Sequence, residues 1–99
     1  MSKSIIKSTT RGMCYICGRF GQTEEHHIFG GRNRKRADAD GVTVHLCHWC
    51  HNEPPSGVHY NKHNDMKLKR IGQRTWMAHY NKDIADFIRA YGRNYLEVE

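Results

Sequence analysis

The chain has 99 residues, with 16 Lys plus Arg against 10 Asp plus Glu, a formal net charge of +6 with the histidines neutral. That length accommodates one domain and excludes a Rossmann enzyme, a TIM barrel or a multi-domain machine. Hydrophobic residues make up only 37% of the chain, so the core is small, and the four Cys and eight His are the candidates to reinforce it.

In chain order, residues 1–12 are mostly polar and read as a flexible basic arm. Their longest apolar run, Ile5-Ile6, is too short for an export signal or a membrane span. The cytoplasm is the expected compartment. Thiols stay reduced there, so paired cysteines suggest metal before disulfide. The positive balance points to a polyanionic partner, most simply nucleic acid, and to no membrane.

Residues 13–63 hold all four Cys and seven of the eight His. Met13 to Ile16 and Val42 to Leu46 are strand-like, and Pro54-Pro55 with Ser56-Gly57 forbids a continuous helix beyond them. The last third reads as two helices. Asn64 or Asp65 would cap the first, running to about Tyr80 with Leu68, Ile71, Thr75 and Ala78 on one stripe and Met77 beside it. Asn81 or Asp83 would cap the second, running to Tyr91 with Ile84, Phe87, Ile88 and Tyr91 as its apolar face and Gly92 as its stop. Trp76, Met77, Phe87 and Ile88 are the expected core between them. The fold class is therefore α+β, in a single domain over residues 13–96.

Cys14-x-x-Cys17 and Cys47-x-x-Cys50 are two knuckles separated by 29 residues. Four thiolates at that spacing suit one closed, tetrahedral, structural Zn²⁺. Such an ion contributes on the order of 10 kcal/mol to folding, more than a core of this size holds in reserve. It also pins residue 47 to the start of the domain. His26 and His27, inside the closed loop, can then face His51, the residue just past the last cysteine. Adjacent side chains on an extended segment point to opposite sides, so one of His26 and His27 can bind a metal while the other faces elsewhere.

His26-His27-Ile28, Gly30-Gly31 and Leu46-Cys47-His48-Trp49-Cys50-His51 together resemble the HNH endonuclease motif in its zinc-bound form. The similarity is greatest to the small HNH proteins of phages and prophages. Gly57-Val58-His59-Tyr60-Asn61 and Tyr91-Gly92-Arg93-Asn94-Tyr95-Leu96 extend the resemblance over about residues 13–96. What it implies is a ββα-metal fold, with two strands in a hairpin, a helix packed on them and one catalytic divalent ion between. It also implies DNA phosphodiester hydrolysis leaving 5′-phosphate and 3′-hydroxyl ends. By this match His26 is a metal ligand, His27 the general base and His51 the next ligand. His59 is the choice for the third ligand, with Asn52, Asn61 and His63 as fallbacks. The family usually has an Asn a few residues before the second knuckle that helps orient the base. Val42 and Thr43 stand there instead, and a backbone carbonyl accepting Nδ1–H of His27 is the expected substitute.

All-imidazole ligands favour Zn²⁺, Ni²⁺ or Mn²⁺ over Mg²⁺. Arg32, Arg34, Lys35 and Arg36 put four charges in five residues beside the glycines and are the expected phosphate contacts. Lys67, Lys69, Arg70 and Arg74 read as the solvated face of the long helix. The alternative to a nuclease is a non-catalytic zinc-stabilised nucleic-acid-binding module. Either would act as a monomer or weak dimer, alone or within a larger phage complex in the host cytoplasm.

Overall fold

A computed structural model describes residues 4–96. Strand β1 (Glu24–His27) pairs antiparallel with β2 (Thr43–Leu46) in the register Glu24 with Leu46, Glu25 with His45, His26 with Val44 and His27 with Thr43. The two are not joined by a tight turn. Residues 28–42 carry a 3-10 turn (Gly31–Asn33) and a helix, α1 (Arg34–Asp40). The helix ends at Gly41, whose φ of 80° lets its N–H return to the carbonyls of Ala37 and Asp38. After β2 come α2 (His48–Asn52), α3 (Lys62–Tyr80) and α4 (Ile84–Tyr91). The result is a small α+β domain with a two-stranded antiparallel sheet and helices. Met13 to Ile16 is not a strand; Met13 makes isolated bridges to Thr10 and Phe20.

The caps explain the helix limits. Asn61, rather than Asn64 or Asp65, caps α3, its side chain accepting from the Asn64 N–H. Asp83 caps α4 in a reciprocal capping box with Asp86, while Asn81 closes α3 with a φ of 56°. Gly92 ends α4 as expected.

The core joins Ile28, Phe29, Val42, Val44 and Leu46 to Leu68, Trp76, Phe87 and Tyr91. The buried face of α3 is Leu68, Gly72, Gln73 and Trp76, which is rotated from the stripe expected. Gly72 is needed there. A Cβ at that position would lie 3.0 Å from side-chain atoms of both Ile28 and Val42 and 3.2 Å from the Phe29 ring. Gln73 is wholly buried, but its amide donates to Asn94 Oδ1 at 2.7 Å and accepts from the Tyr95 N–H at 2.7 Å. Phe87 and Tyr91 are buried, whereas Ile88, expected in the core, and Ile84 are each 41% exposed. Asp40, at the end of α1, locks the helices together. Its Oδ2 accepts from Trp76 Nε1 at 2.9 Å and from Tyr91 Oη at 2.7 Å, and its carbonyl accepts from Tyr80 Oη. Burial, and then the Asp40 carboxylate, push the Tyr91 hydroxyl well above its ordinary pKa.

Residues 4–12 are held more firmly than an arm. Ile6 is buried in the core, and the Ile5 N–H bonds to the Gly41 carbonyl at 2.8 Å. Along the outer edge of β2, Ser4 Oγ donates to the Thr43 carbonyl, Thr9 Oγ1 accepts from the His45 N–H, and the Tyr15 N–H donates to the His45 carbonyl. The polarity of the segment suggested a loose arm; the paired Ile5-Ile6 and the hydroxyls that satisfy the strand edge tie it down instead.

Candidate metal centres and active site

Cys14, Cys17, Cys47 and Cys50 converge, with all four sulfurs within 4.8 Å of one another. The first knuckle is a turn in which Gly18, at φ 77°, returns its N–H to the Cys14 carbonyl. The second knuckle opens α2, with Cys47 as its N-cap. The Cys17 N–H points at Cys14 Sγ at 3.5 Å, and Cys17 Sγ lies 3.8 Å from Cys47 Sγ. Burial alone would raise the Cys14 thiol, but the N–H groups of Cys17, Cys47 and Ile16 bring it down to about 7. Burial and the neighbouring Cys14 and Cys17 thiols push Cys50 up. Four sulfurs on a closed, mostly buried scaffold are the donor set of a structural zinc site.

The second centre starts from strand alternation. On β1, His26 points inward on the face of Val44 and Leu46, and His27 points to the other face. His26 is 6% exposed, and its Nε2 is buried with no hydrogen-bond partner among the described residues. What faces it is imidazole. His51 from α2 and His59 from the loop before α3 lie 5.1 and 5.5 Å away between ring centroids, and 4.9 Å from each other. One ring nitrogen from each of the three falls within 4.8 Å of the others. Burial, followed by the positive potential of His51, His59, His27 and Lys69, pushes His26 down to about 3. A buried, unprotonated, unpartnered nitrogen among imidazoles is the donor arrangement that a divalent ion satisfies.

The shell behind these rings orients them. Glu24 Oε1 lies 2.7 Å from His51 Nδ1 and accepts from Asn52 Nδ2 at 3.0 Å. With Nδ1–H donated to Glu24, His51 presents Nε2 to the centre. The hydrogen bond from His51, aided by His48, holds the Glu24 carboxyl below its ordinary pKa. His59 is positioned by backbone. Gly57 donates to the Glu53 carbonyl and Val58 to the Cys50 carbonyl, and a Cβ on Gly57 would lie 2.6 Å from Glu53 N. The fallback residues are engaged elsewhere. Asn52 serves Glu24, Asn61 caps α3 and donates to the Pro55 carbonyl, and His63 is exposed on the first turn of α3.

His27 Nε2 lies 3.0 Å from Asp38 Oδ1 on α1, and Arg34 Nε donates to His27 Nδ1 at 3.4 Å. His27 is thus held by a carboxylate on Nε2, and not by a carbonyl on Nδ1. The basic cluster sits on the 3-10 turn and the first turn of α1, and all four side chains are exposed. They diverge. Arg34 and Lys35 border a recess with His27 and Asp38, while Arg36 lies over the Tyr91 ring.

His26, His27 and His59 also line one cavity of about 460 Å³, together with Gly31, Asn33 and Lys69. The sequence reading missed Glu24, Asp38 and Lys69. Glu24 stands two residues before His26 in sequence, but the histidine it holds, His51, lies 27 positions away.

Comparison with known proteins finds no matching family model, no matching curated protein and no matching solved structure. Among the described residues, no helix is long and apolar enough to cross a membrane.

Proposed function

We propose that the protein is a metal-dependent endonuclease of the HNH type that hydrolyses DNA phosphodiester bonds. One observation carries this reading: the unpartnered His26 Nε2 at the centre of three imidazoles, one residue from a histidine held by a carboxylate, with both histidines on one cavity. A non-catalytic zinc module accounts for the cysteines and the charge but gives no reason to bury His26 unsatisfied.

A divalent ion held by His26, His51 and His59 would supply Lewis-acid stabilisation of charge on the phosphate and the leaving oxygen. The chain's own residues do the rest. Asp38 accepts Nε2–H of His27 and so fixes the tautomer in which Nδ1 takes the proton from the attacking water. As His27 becomes an imidazolium, the same carboxylate stabilises it. Arg34, whose guanidinium rests on Nδ1 in the free protein, is exposed and free to turn toward a phosphate, which clears that nitrogen for water. Arg32, Lys35 and Arg36 add phosphate contacts that weaken with salt.

The test is nicking of supercoiled plasmid with Mn²⁺, comparing wild type with His27→Ala. A loss of about 10²-fold or more supports the assignment. Equal nicking by both, or none by the wild type with Mn²⁺, Ni²⁺, Zn²⁺ or Mg²⁺, would overturn it in favour of the binding module.

A further inference from the structure

We propose that Lys69 forms an anion subsite beside the imidazole cluster, built to hold a phosphate oxygen within the cavity. The inference rests on the reading above and names the group that receives the substrate's charge there.

Lys69 does not belong to the solvated face of α3. Lys67, Arg70 and Arg74 are exposed, but the Lys69 side chain is only 23% exposed and lines the same cavity as His26, His27 and His59. Among the described residues lining that cavity it is the one Lys or Arg. Its ammonium donates to Asp65 Oδ2 at 2.7 Å and lies 5.7 Å from the centre of the Tyr95 ring. Both neighbours are anchored, Asp65 in the first turn of α3 and Tyr95 through its N–H to buried Gln73.

The charge balance gives the position its meaning. Three imidazoles carry no negative charge, and Glu24 behind His51 and Asp65 beside Lys69 offset only part of a divalent ion and the ammonium together, so the cavity is electropositive when that site is filled and favours an anion. In the free protein Asp65 occupies the Lys69 ammonium. The two residues sit four apart on one face of α3, and their contact is a single ion pair, so a phosphate oxygen can take the place of the carboxylate. Gly30, Gly31 and Asn33 line the same cavity, so the ammonium and the imidazoles open onto one space that a phosphate group would enter.

The test titrates inorganic phosphate into the full chain, with zinc on the cysteines and cobalt(II) supplied to the imidazoles. Wild type is compared with Lys69→Met, Lys69→Arg and Asp65→Asn. Lys69→Met should weaken phosphate by about tenfold or more, the scale of a hydrogen bond to a charged group. Lys69→Arg should restore most of the affinity, and Asp65→Asn should leave it equal or tighter. Cobalt uptake and melting temperature should be unchanged in all three. Phosphate bound equally by Lys69→Met and wild type would overturn the proposal, as would weaker binding by Asp65→Asn. Failure of wild type to take up cobalt would instead sink the metal-site reading. The same titration on cobalt-free protein then decides the subsite, since equal phosphate affinity of wild type and Lys69→Met would refute it.

Discussion

His51 Nδ1 lies 2.7 Å from Glu24 Oε1, across 27 positions of sequence. One contact thus joins the first strand of the sheet to the short helix that also carries Cys47's partner, Cys50. The carboxylate fixes which nitrogen of His51 faces His26.

Glu24→Gln should therefore weaken metal at the imidazole centre by about 10–100-fold, the usual effect of removing a carboxylate behind a ligating histidine. Zinc at the cysteines should be unaffected. Competition with a chromophoric chelator, read at two metal equivalents, separates the two sites.

The same logic on the other face of β1 concerns Asp38. Asp38→Asn keeps the shape but loses the anionic acceptor on His27 Nε2. The cleavage rate should fall by up to about 10²-fold, with little change in metal binding. Asp38 is 44% exposed, so stability should hardly move. A kcat loss with unchanged melting temperature checks this.

Two centres with different roles should fail differently. Cys14→Ser should leave the domain unfolded or molten, because it opens the closed sulfur cage. His51→Ala should stay folded and lose metal-dependent cleavage. Circular dichroism of the two variants, with and without chelator, makes the comparison. Loss of structure in both would contradict a division of labour.

His26 gives a pH dependence. Its folded pKa, about 3, lies below the unfolded value of 6.5, so the unfolded chain binds the proton more readily. Stability from the unprotonated ring is fully present above about pH 6.5 and is lost as pH falls from there toward about 3. With the imidazole centre free of metal, His26→Leu should flatten this slope. The difference should reach about 1.4 kcal/mol per pH unit at most. Urea midpoints between pH 7 and 5, taken as about the accessible range, measure it.

The cysteines were readable from their spacing, and with them the approach of His26 to His51, whereas His59 follows only from the family resemblance. Two C-x-x-C pairs on one ion bring residue 47 back to residue 17, and His51 must follow. Glu24, Asp38 and Lys69 were not readable, since what each does depends on a partner from another element. Helix α1 carries no apolar period and buries only Ala37, so nothing in its pattern marks its seven residues as a helix. On α3, the inward positions Gly72 and Gln73 look polar or featureless in sequence. One is there because it has no side chain to clash, the other because Asn94 and the Tyr95 backbone satisfy its amide. The apolar stripe one face over drew the reading instead.

A ribbon of two strands has two flanks, and an open flank recruits strands from other molecules. On the β2 side, hydroxyls of Ser4 and Thr9 occupy the Thr43 carbonyl and the His45 N–H. The opening stretch of the chain thus works as a seal. Trimming it would unmask a sticky ribbon and take Ile6 out of the core in the same stroke, inviting self-association of a weakened domain.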